Sequence, residues 1–228
     1  EWRRFRAVCH HLGFRCCRRF GRCWVFCQRL PHVGDFHQYG VAEHRIGFDK
    51  NPFSFAYTKK VTHEIGNGKH EIERNHELIA ELTDDKPATP KLYPTKQDFS
   101  AIAEHVTDNF VCVAPTSVWF TKQFPAEQWI RLINELGEKT RVYLLAAPSD
   151  RKACGNIKHR AYNKNLVNLA GKLSLLESAA LMSRARMNYV NDSAPLHLAS
   201  AMNAPVRAVF CSTVPSFGFG PVSDDGKV

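Results

Sequence analysis

The sequence has no long hydrophobic run, and it has no lysine before Lys50. No stretch approaches the roughly 18 apolar residues of a membrane-spanning helix. The amino end is basic and aromatic, and it lacks the apolar region and small-residue cleavage site of a signal peptide. A hydrophobic content of 44% and a charged content of 23% are typical of a globular protein. We therefore expect a chain that buries a sizeable core and that is neither membrane-spanning nor secreted.

The sequence also lacks the common motifs for nucleotides and metals. It contains neither G-x-G-x-x-G nor G-x-x-x-x-G-K-[S/T], the two glycine-rich phosphate loops. It has no D-x-D pair of the kind that holds a metal against a nucleotide diphosphate, and no paired C-x-x-C knuckles. We therefore predict no metal site. Three scattered cysteines are expected to be core or incidental residues and not catalytic ones: Cys112, Cys154 and Cys211.

Residues 1–44 differ in composition from the rest of the chain. They hold eight arginines and three acidic residues, for a net charge of +5, and five of the eight cysteines lie before residue 28. One interpretation is a basic module that binds nucleic acid, or that binds zinc through Cys23, Cys27, His10 and His11. The interpretation that we prefer is an aberrant or disordered segment, such as a gene start read in the wrong frame.

From Arg45 onward, strand patterns alternate with helix patterns. Apolar runs predict strands at 45–48, 110–114, 141–147, 166–169, 187–190 and 206–211. Helices are predicted at 70–82, 125–136, 151–157, 174–184 and about 195–202. This alternation predicts an α/β fold, in which a parallel sheet carries helices on both faces. We expect a first unit at 45–107, which includes a linker rich in Pro, Lys and Asp at 84–94, and a second unit at 108–228.

Within the first predicted helix, the charged residues Glu73 and Arg74 are expected on the solvated face.

Three turns follow predicted strands and are expected to converge on one crevice, because ligands of open α/β sheets bind where the strands end. The first turn carries Thr116, Ser117 and Lys122. Hydroxyl and ammonium groups suit phosphate oxygens. The second turn carries Asp150, which either grips the hydroxyls of a ribose or caps the following helix.

The third turn, after the 187–190 strand, carries Asp192 and Ser193 at the start of a helix. The helix dipole and free backbone N–H groups there favour a phosphate. A carboxylate would repel phosphate, so Asp192 is assigned to hydroxyl groups. His197 lies one turn into the helix, where it either faces the crevice or is structural. Together the turns predict an electropositive pocket for a sugar diphosphate.

Five motifs occur in a specific order: RIGF at 45–48, HEIERN at 70–75, APTS at 114–117 with KQFP at 122–125, NLAG at 168–171, and NDSAPLH at 191–197. From about Arg45 onward the chain resembles the lipopolysaccharide heptosyltransferases of glycosyltransferase family 9. The resemblance implies a GT-B architecture of two Rossmann-like domains and an inverting, metal-independent transfer without a cofactor. It also implies ADP-heptose as donor, a lipid A–core acceptor and a cytoplasmic protein in peripheral contact with the inner membrane.

Carried over by position, the resemblance implies catalytic roles for Lys122 and Asp192. It implies a donor-binding set of Thr116, Ser117, Lys122, Asp150, Asp192, Ser193, Ala194 and His197. The family usually has glycine at the position of Ala194, where a methyl group limits close backbone approach.

The resemblance implies a candidate general base, an aspartate in a Gly-Asp turn that the family has far upstream of the RIGF motif. Here Gly34-Asp35 stands only ten residues before Arg45, so we ascribe that match to chance. The resemblance therefore describes a fragment with an incomplete acceptor domain. Two alternatives stay open, namely a nucleotide-sugar-binding fragment without turnover and a nucleic-acid-binding protein that depends on residues 1–44.

Overall fold

The computed structural model describes residues 17–20, 23–26 and 44–228. The chain divides into two compact units, Glu1–Pro87 and Ala88–Val228. The Gly34-Asp35 turn and the candidate zinc ligands His10, His11 and Cys27 lie outside the described residues. The interpretation of residues 1–44 therefore stays a prediction, although two strands are described there, where the sequence pattern indicated none.

The first unit contains a four-stranded sheet in the order β1-β2-β3-β4. Strands β1 and β2 are antiparallel, whereas β3 runs parallel to both β2 and β4. The strands are Cys17–Phe20, Cys23–Phe26, His44–Phe48 and Lys59–Val61, and helix α1 is Glu71–Glu77. The described core of this unit is small and consists of Ile46, Phe48 and Leu78.

Helix α1 is shorter than the predicted 70–82 helix, and Arg74 is not on its solvated face. The Arg74 side chain is 1% exposed, so that prediction is wrong. Its Nε donates to Oε2 of Glu71 at 2.8 Å, and its Nη1 donates to the carbonyl oxygen of Lys69 at 2.6 Å. A buried guanidinium is tolerated where its donors are satisfied in this way. Glu73, in contrast, is exposed as expected.

The second unit is a six-stranded parallel sheet in the order β10-β9-β8-β5-β6-β7. Its strands β5 to β10 are Phe110–Ala114, Arg141–Leu144, Leu166–Asn168, Met187–Asn191, Val206–Val209 and Gly226–Lys227. Its helices α2 to α6 are Lys96–Ala101, Ala126–Glu135, Arg151–Arg160, Leu175–Arg184 and Ala194–Ala201. The predicted parallel α/β sheet is confirmed.

The sheet of the second unit has a separate core on each face. Residues of α3 and α4 pack on one face, and residues of α5 and α6 pack on the other. Successive side chains of a strand point to opposite faces. Alternate residues of β5 therefore serve the two cores: Val111 and Val113 join the first, and Cys112 and Ala114 join the second. Burial on both faces explains why this strand is a continuous apolar run.

The strand order reverses between β5 and β8. The chain proceeds from β5 to β6 and β7 on one side, and from β8 to β9 and β10 on the other. The loops that follow β5 and β8 therefore leave in opposite directions and open a crevice at the carboxyl ends of the strands.

The segment 88–107, which we expected to close the first unit, belongs by its contacts to the second. It contains α2, a six-residue helix that the sequence analysis missed. Ile102 is 1% exposed in the core, and the backbone N–H of Leu92 donates to the carbonyl oxygen of Ala201 at 3.1 Å. The boundary between the units therefore lies before Ala88. Within the described residues, no helix is both long enough and apolar enough to cross a bilayer.

Candidate functional site

Loops from four strands gather at the carboxyl edge of the second unit's sheet. They follow β5, β6, β8 and β9, and their side chains are joined by hydrogen bonds. In a parallel sheet all strands end at the same edge, so loops that are distant in sequence become neighbours.

Lys122 and Asp192 form an ion pair across the reversal point. Nζ of Lys122 lies 2.6 Å from Oδ2 of Asp192. The lysine ends a single 3-10 turn, Phe120–Lys122, in the loop after β5, and Asp192 directly follows β8. Their side chains are 27% and 6% exposed, respectively. The aspartate is therefore buried, and the lysine connects it to the open side of the crevice.

Thr116 and Asp150 join the loops after β5 and β6. Oγ1 of Thr116 donates to Oδ2 of Asp150 at 2.9 Å. Asp150 stands at the N-cap of α4, but its side chain makes no capping hydrogen bond. Of the two interpretations offered for this carboxylate, helix capping is therefore wrong.

Thr213 is a site residue that the sequence analysis missed. It lies in the loop after β9, and its Oγ1 donates to Oδ2 of Asp192 at 2.6 Å. The same carboxylate oxygen accepts the hydrogen bond from Lys122. Thr213 is 21 residues from Asp192 in sequence and lies in a stretch without strand or helix periodicity, so no local signal pointed to it.

Two amide side chains, also missed, hold the loop after β5 in place. Oδ1 of Asn191, which is 0% exposed, accepts from the backbone N–H of Phe124 at 3.0 Å. Nε2 of Gln123 donates to the carbonyl oxygen of Ser117 at 2.7 Å. Asn191 immediately precedes Asp192. The residue that anchors the loop is thus adjacent to the residue that pairs with its lysine.

The remaining predicted residues lie at the same edge. Ser117 is buried, and Ser193 is the N-cap of α6 without a capping hydrogen bond from its side chain. Ala194 and His197 are exposed in the first turn of α6. All eight predicted residues are thus on the edge loops or in this turn, and their binding roles stay predictions.

The side-chain charges do not give the electropositive pocket that we expected. Lys122 is paired with Asp192, and Asp150 adds a second carboxylate on the neighbouring loop. An anion bound here would depend on hydroxyl groups, on backbone N–H groups at the start of α6 and on the remaining N–H bonds of Lys122. Among the residues that the structure describes, no group of three or more His, Cys, Asp or Glu side chains could hold a metal ion.

A groove of about 310 Å³ lies elsewhere, between α3 and the neighbouring strands β8 and β9. Trp129, Tyr189 and Val209 contribute to its lining, and none of the eight predicted residues does. The candidate site is therefore the contact between loops at the sheet edge, and the groove is a separate feature.

The sequence is similar to one protein family and to several of its curated members. Residues 36–228 match glycosyltransferase family 9 (heptosyltransferase). Lipopolysaccharide heptosyltransferase 3 of Escherichia coli K12 is 30% identical over 158 residues, which cover 64% of this chain and 45% of that protein. Lipopolysaccharide heptosyltransferase 1 of Salmonella typhimurium is 27% identical over 172 residues, covering 73% of this chain and 53% of that protein. The chain thus spans about half the length of the curated relatives it matches.

The fold has a solved counterpart in E. coli ADP-heptose lipopolysaccharide heptosyltransferase II, with a TM-score of 0.70 and 19% identity. The superposition covers 83% of this chain and 62% of that one. At such low identity the likeness shows the fold alone, and it confirms the expected GT-B-like α/β architecture. Because the family match extends over most of the sequence, the chain belongs to glycosyltransferase family 9, the heptosyltransferases.

Proposed function

We propose that this protein transfers a heptose from ADP-heptose to the inner core of lipopolysaccharide. The family match and two curated relatives, both lipopolysaccharide heptosyltransferases, support the reaction and the acceptor. A solved relative named for ADP-heptose supports the donor. The observation that carries the proposal is the meeting of Lys122 and Asp192 from loops that are 70 residues apart.

Lys122 is the main contact for the donor's diphosphate in this proposal. An ammonium group has three N–H donors, and Lys122 uses one of them on Asp192. The other two can donate to phosphate oxygens. Ser117 on the same loop adds an O–H donor, and the start of α6 adds the positive end of a helix dipole. These groups would stabilise the negative charge that develops on the leaving diphosphate. The single O–H bond of Thr116 already donates to Asp150, so this threonine would position the carboxylate that binds the ribose.

The carboxylates serve the hydroxyl groups of the donor. Asp192 would accept hydrogen bonds from the sugar, because a carboxylate attracts hydroxyl donors and repels phosphate. Asp150, which already accepts a hydrogen bond from Thr116, would bind the ribose hydroxyls of the ADP part. This division assigns phosphate to the cationic side of the ion pair and sugar to its anionic side.

The transfer is proposed to invert the anomeric configuration without a metal. An acceptor hydroxyl attacks the anomeric carbon, and the bond from that carbon to the diphosphate oxygen breaks as ADP leaves. Positioning of the two substrates and electrostatic stabilisation of the leaving group supply most of the rate. Because the acceptor is the lipid A–core, the proposal places the protein at the inner face of the cytoplasmic membrane.

Replacing Lys122 by Ala tests the proposal. We expect the dissociation constant for ADP, measured by titration calorimetry, to rise about ten- to hundredfold, since hydrogen bonds to charged groups contribute about 1.5–3 kcal/mol. Arg160→Ala is the matched control, because Arg160 pairs with Glu127 at 3.0 Å on the exposed surface of the same unit. Equal ADP affinity in wild type and Lys122→Ala would remove the lysine from the donor site.

A second candidate is a nucleotide-sugar-binding fragment without turnover. The match spans about half the length of each curated relative, so sugar transfer by these 228 residues alone has to be measured separately from ADP binding. A transfer assay with ADP-heptose and a lipid A–core acceptor, run beside a full-length relative, separates the two candidates. ADP binding without sugar transfer would support the second.

A further inference from the structure

Asp192 is held by two donors that arrive from opposite sides of the reversal point. Lys122 comes from the loop after β5 and Thr213 from the loop after β9, and each lies 2.6 Å from Oδ2. The backbone N–H of Asp192 also donates to the carbonyl oxygen of Val209 at 3.1 Å. Backbone and side chain of this buried aspartate are therefore both restrained.

The two oxygens of the Asp192 carboxylate are used unequally. Oδ2 accepts both side-chain hydrogen bonds, whereas Oδ1 accepts none from the residues that the structure describes. A carboxylate oxygen carries two lone-pair sites, so Oδ2 is saturated and Oδ1 keeps its full capacity. Oδ1 is consequently the oxygen that can accept a hydrogen bond from a bound molecule.

Lys122 alone would not keep the carboxylate in this orientation. Its ammonium is a point charge on a flexible four-carbon stem, and a bound diphosphate would compete with Asp192 for it. When the lysine turns toward phosphate, Thr213 is the remaining side-chain donor to Oδ2 among the described residues. The threonine hydroxyl thus matters most when the donor is in place.

We propose that Thr213 is a positioning residue for the donor sugar. By holding Oδ2, it sets the rotation of the Asp192 carboxylate and keeps Oδ1 available to the hydroxyl groups of the sugar. The inference rests on the proposed function, because it assigns Asp192 to the sugar and Lys122 to the diphosphate. It adds a specific role for the loop after β9, from which the sequence analysis drew no site residue.

The test compares Thr213→Val, which keeps the shape and removes the hydroxyl, with Thr213→Ser, which keeps the hydroxyl. Calorimetry with ADP-heptose and with ADP gives two dissociation constants for each variant. For Thr213→Val we expect the dissociation constant of ADP-heptose to rise about tenfold, because a hydrogen bond to a charged group is lost. The dissociation constant of ADP should change by less than about twofold. Thr213→Ser should restore the wild-type ratio of the two dissociation constants.

Thr140→Val is the matched control. Thr140 is 4% exposed, and its Oγ1 donates to the carbonyl oxygen of Leu136 at 2.9 Å, at the opposite end of β6 from the site. Loss of this hydroxyl should lower the melting temperature without changing the ratio of the two dissociation constants. A purely structural threonine at position 213 would behave in the same way.

Three results would overturn the positioning role. In Thr213→Val, the dissociation constants of both ligands could rise equally, or neither could rise. In the third, Thr213→Ser would behave like Thr213→Val. If melting curves show that Thr213→Val is unfolded, Thr213→Ala replaces it in the same comparison. A wild-type chain that binds neither ligand refutes the proposed function and this inference together. ADP binding with an unchanged ratio refutes this inference alone.

Discussion

Two buried carboxylates, Glu71 in the first unit and Asp192 in the second, are each paired with a cation in different surroundings. Glu71 pairs with Arg74, three residues further along the same short helix, and the arginine side chain is 1% exposed. Asp192 pairs with Lys122 from a loop 70 residues away, and the lysine side chain is 27% exposed. The first pair is closed to solvent, whereas the second is open on its cationic side.

This difference separates a structural pair from a candidate binding pair. Arg74 also donates to a backbone carbonyl, and Glu71 also lies 3.3 Å from Nε2 of His63, so the polar groups of the closed pair are used within the fold. A buried pair of this kind matters mainly because loss of one partner leaves an uncompensated charge. The open pair keeps two N–H bonds of Lys122 and one oxygen of Asp192 for a ligand.

The largest effect is expected from Arg74→Met. Loss of the guanidinium leaves Glu71 buried without its cation, which typically costs about 3–5 kcal/mol. Urea denaturation measures this as a drop in the free energy of unfolding. The exposed Arg160–Glu127 pair is the control, and Arg160→Ala should have a much smaller effect. Equal costs for the two substitutions would show that the closed pair has no special structural role.

A smaller effect on binding is expected from Asp192→Asn, which changes the open pair. The substitution frees Lys122 and removes a negative charge beside the diphosphate, so ADP should bind a few-fold more tightly. ADP-heptose should not share this gain, because the amide replaces a charged acceptor for the sugar hydroxyls. Calorimetry with both ligands measures the two constants. An equal increase in affinity for ADP and for ADP-heptose would contradict the assignment of Asp192 to the sugar.

The smallest effect concerns the thiols. Burial, with a contribution from the carboxylate of Asp150, raises the pKa of Cys154 to about 12, and burial also raises the pKa of Cys112. Cys211 is exposed in the loop after β9, although partial burial raises its pKa as well. The thiolate is the reactive species, so iodoacetamide at about pH 8 should label Cys211 before the other two. Peptide mass spectrometry measures the rates, and equal rates in the native protein would contradict the closed core.

The same burial has a consequence for stability. The native state holds the proton of Cys154 more tightly than the unfolded chain, whose thiols titrate near pH 8.5. The contribution of the Cys154 thiol to the free energy of unfolding is therefore complete below about pH 8.5, and it is lost as the pH rises toward 12. Urea denaturation between about pH 8 and pH 10 should show a falling free energy of unfolding. Cys154→Ala should reduce that slope, and Cys112, whose pKa is also raised by burial, should account for much of what remains.

Much of the second unit could be predicted because its elements carry local signals. Strand β5 coincides with the apolar run Phe110–Ala114. Helix α3 begins directly after Pro125 and ends before Gly137, whose φ of 76° suits the left-handed region. The predicted 174–184 helix is α5, and Ser174 and Glu177 form a capping box at its start. Each of these signals depends only on residues within a few positions of one another.

The expectations that failed did so for different reasons. Arg74 was placed in solvent from its charge, yet its helix turns it toward Glu71 and the interior. Helix α2 was missed because six residues are too few for a clear period. The electropositive pocket was expected from Lys122, whereas a carboxylate on another loop pairs with it.

The order of apolar runs and turn residues along the chain was sufficient to place the polar loops at one edge of a parallel sheet, because every strand of such a sheet ends there. The partners at that edge had to be read from the folded molecule. Lys122 and Thr213 reach the same oxygen of Asp192 because the strand order reverses between β5 and β8. That reversal sets distances between loops, and local sequence patterns carry no information about them.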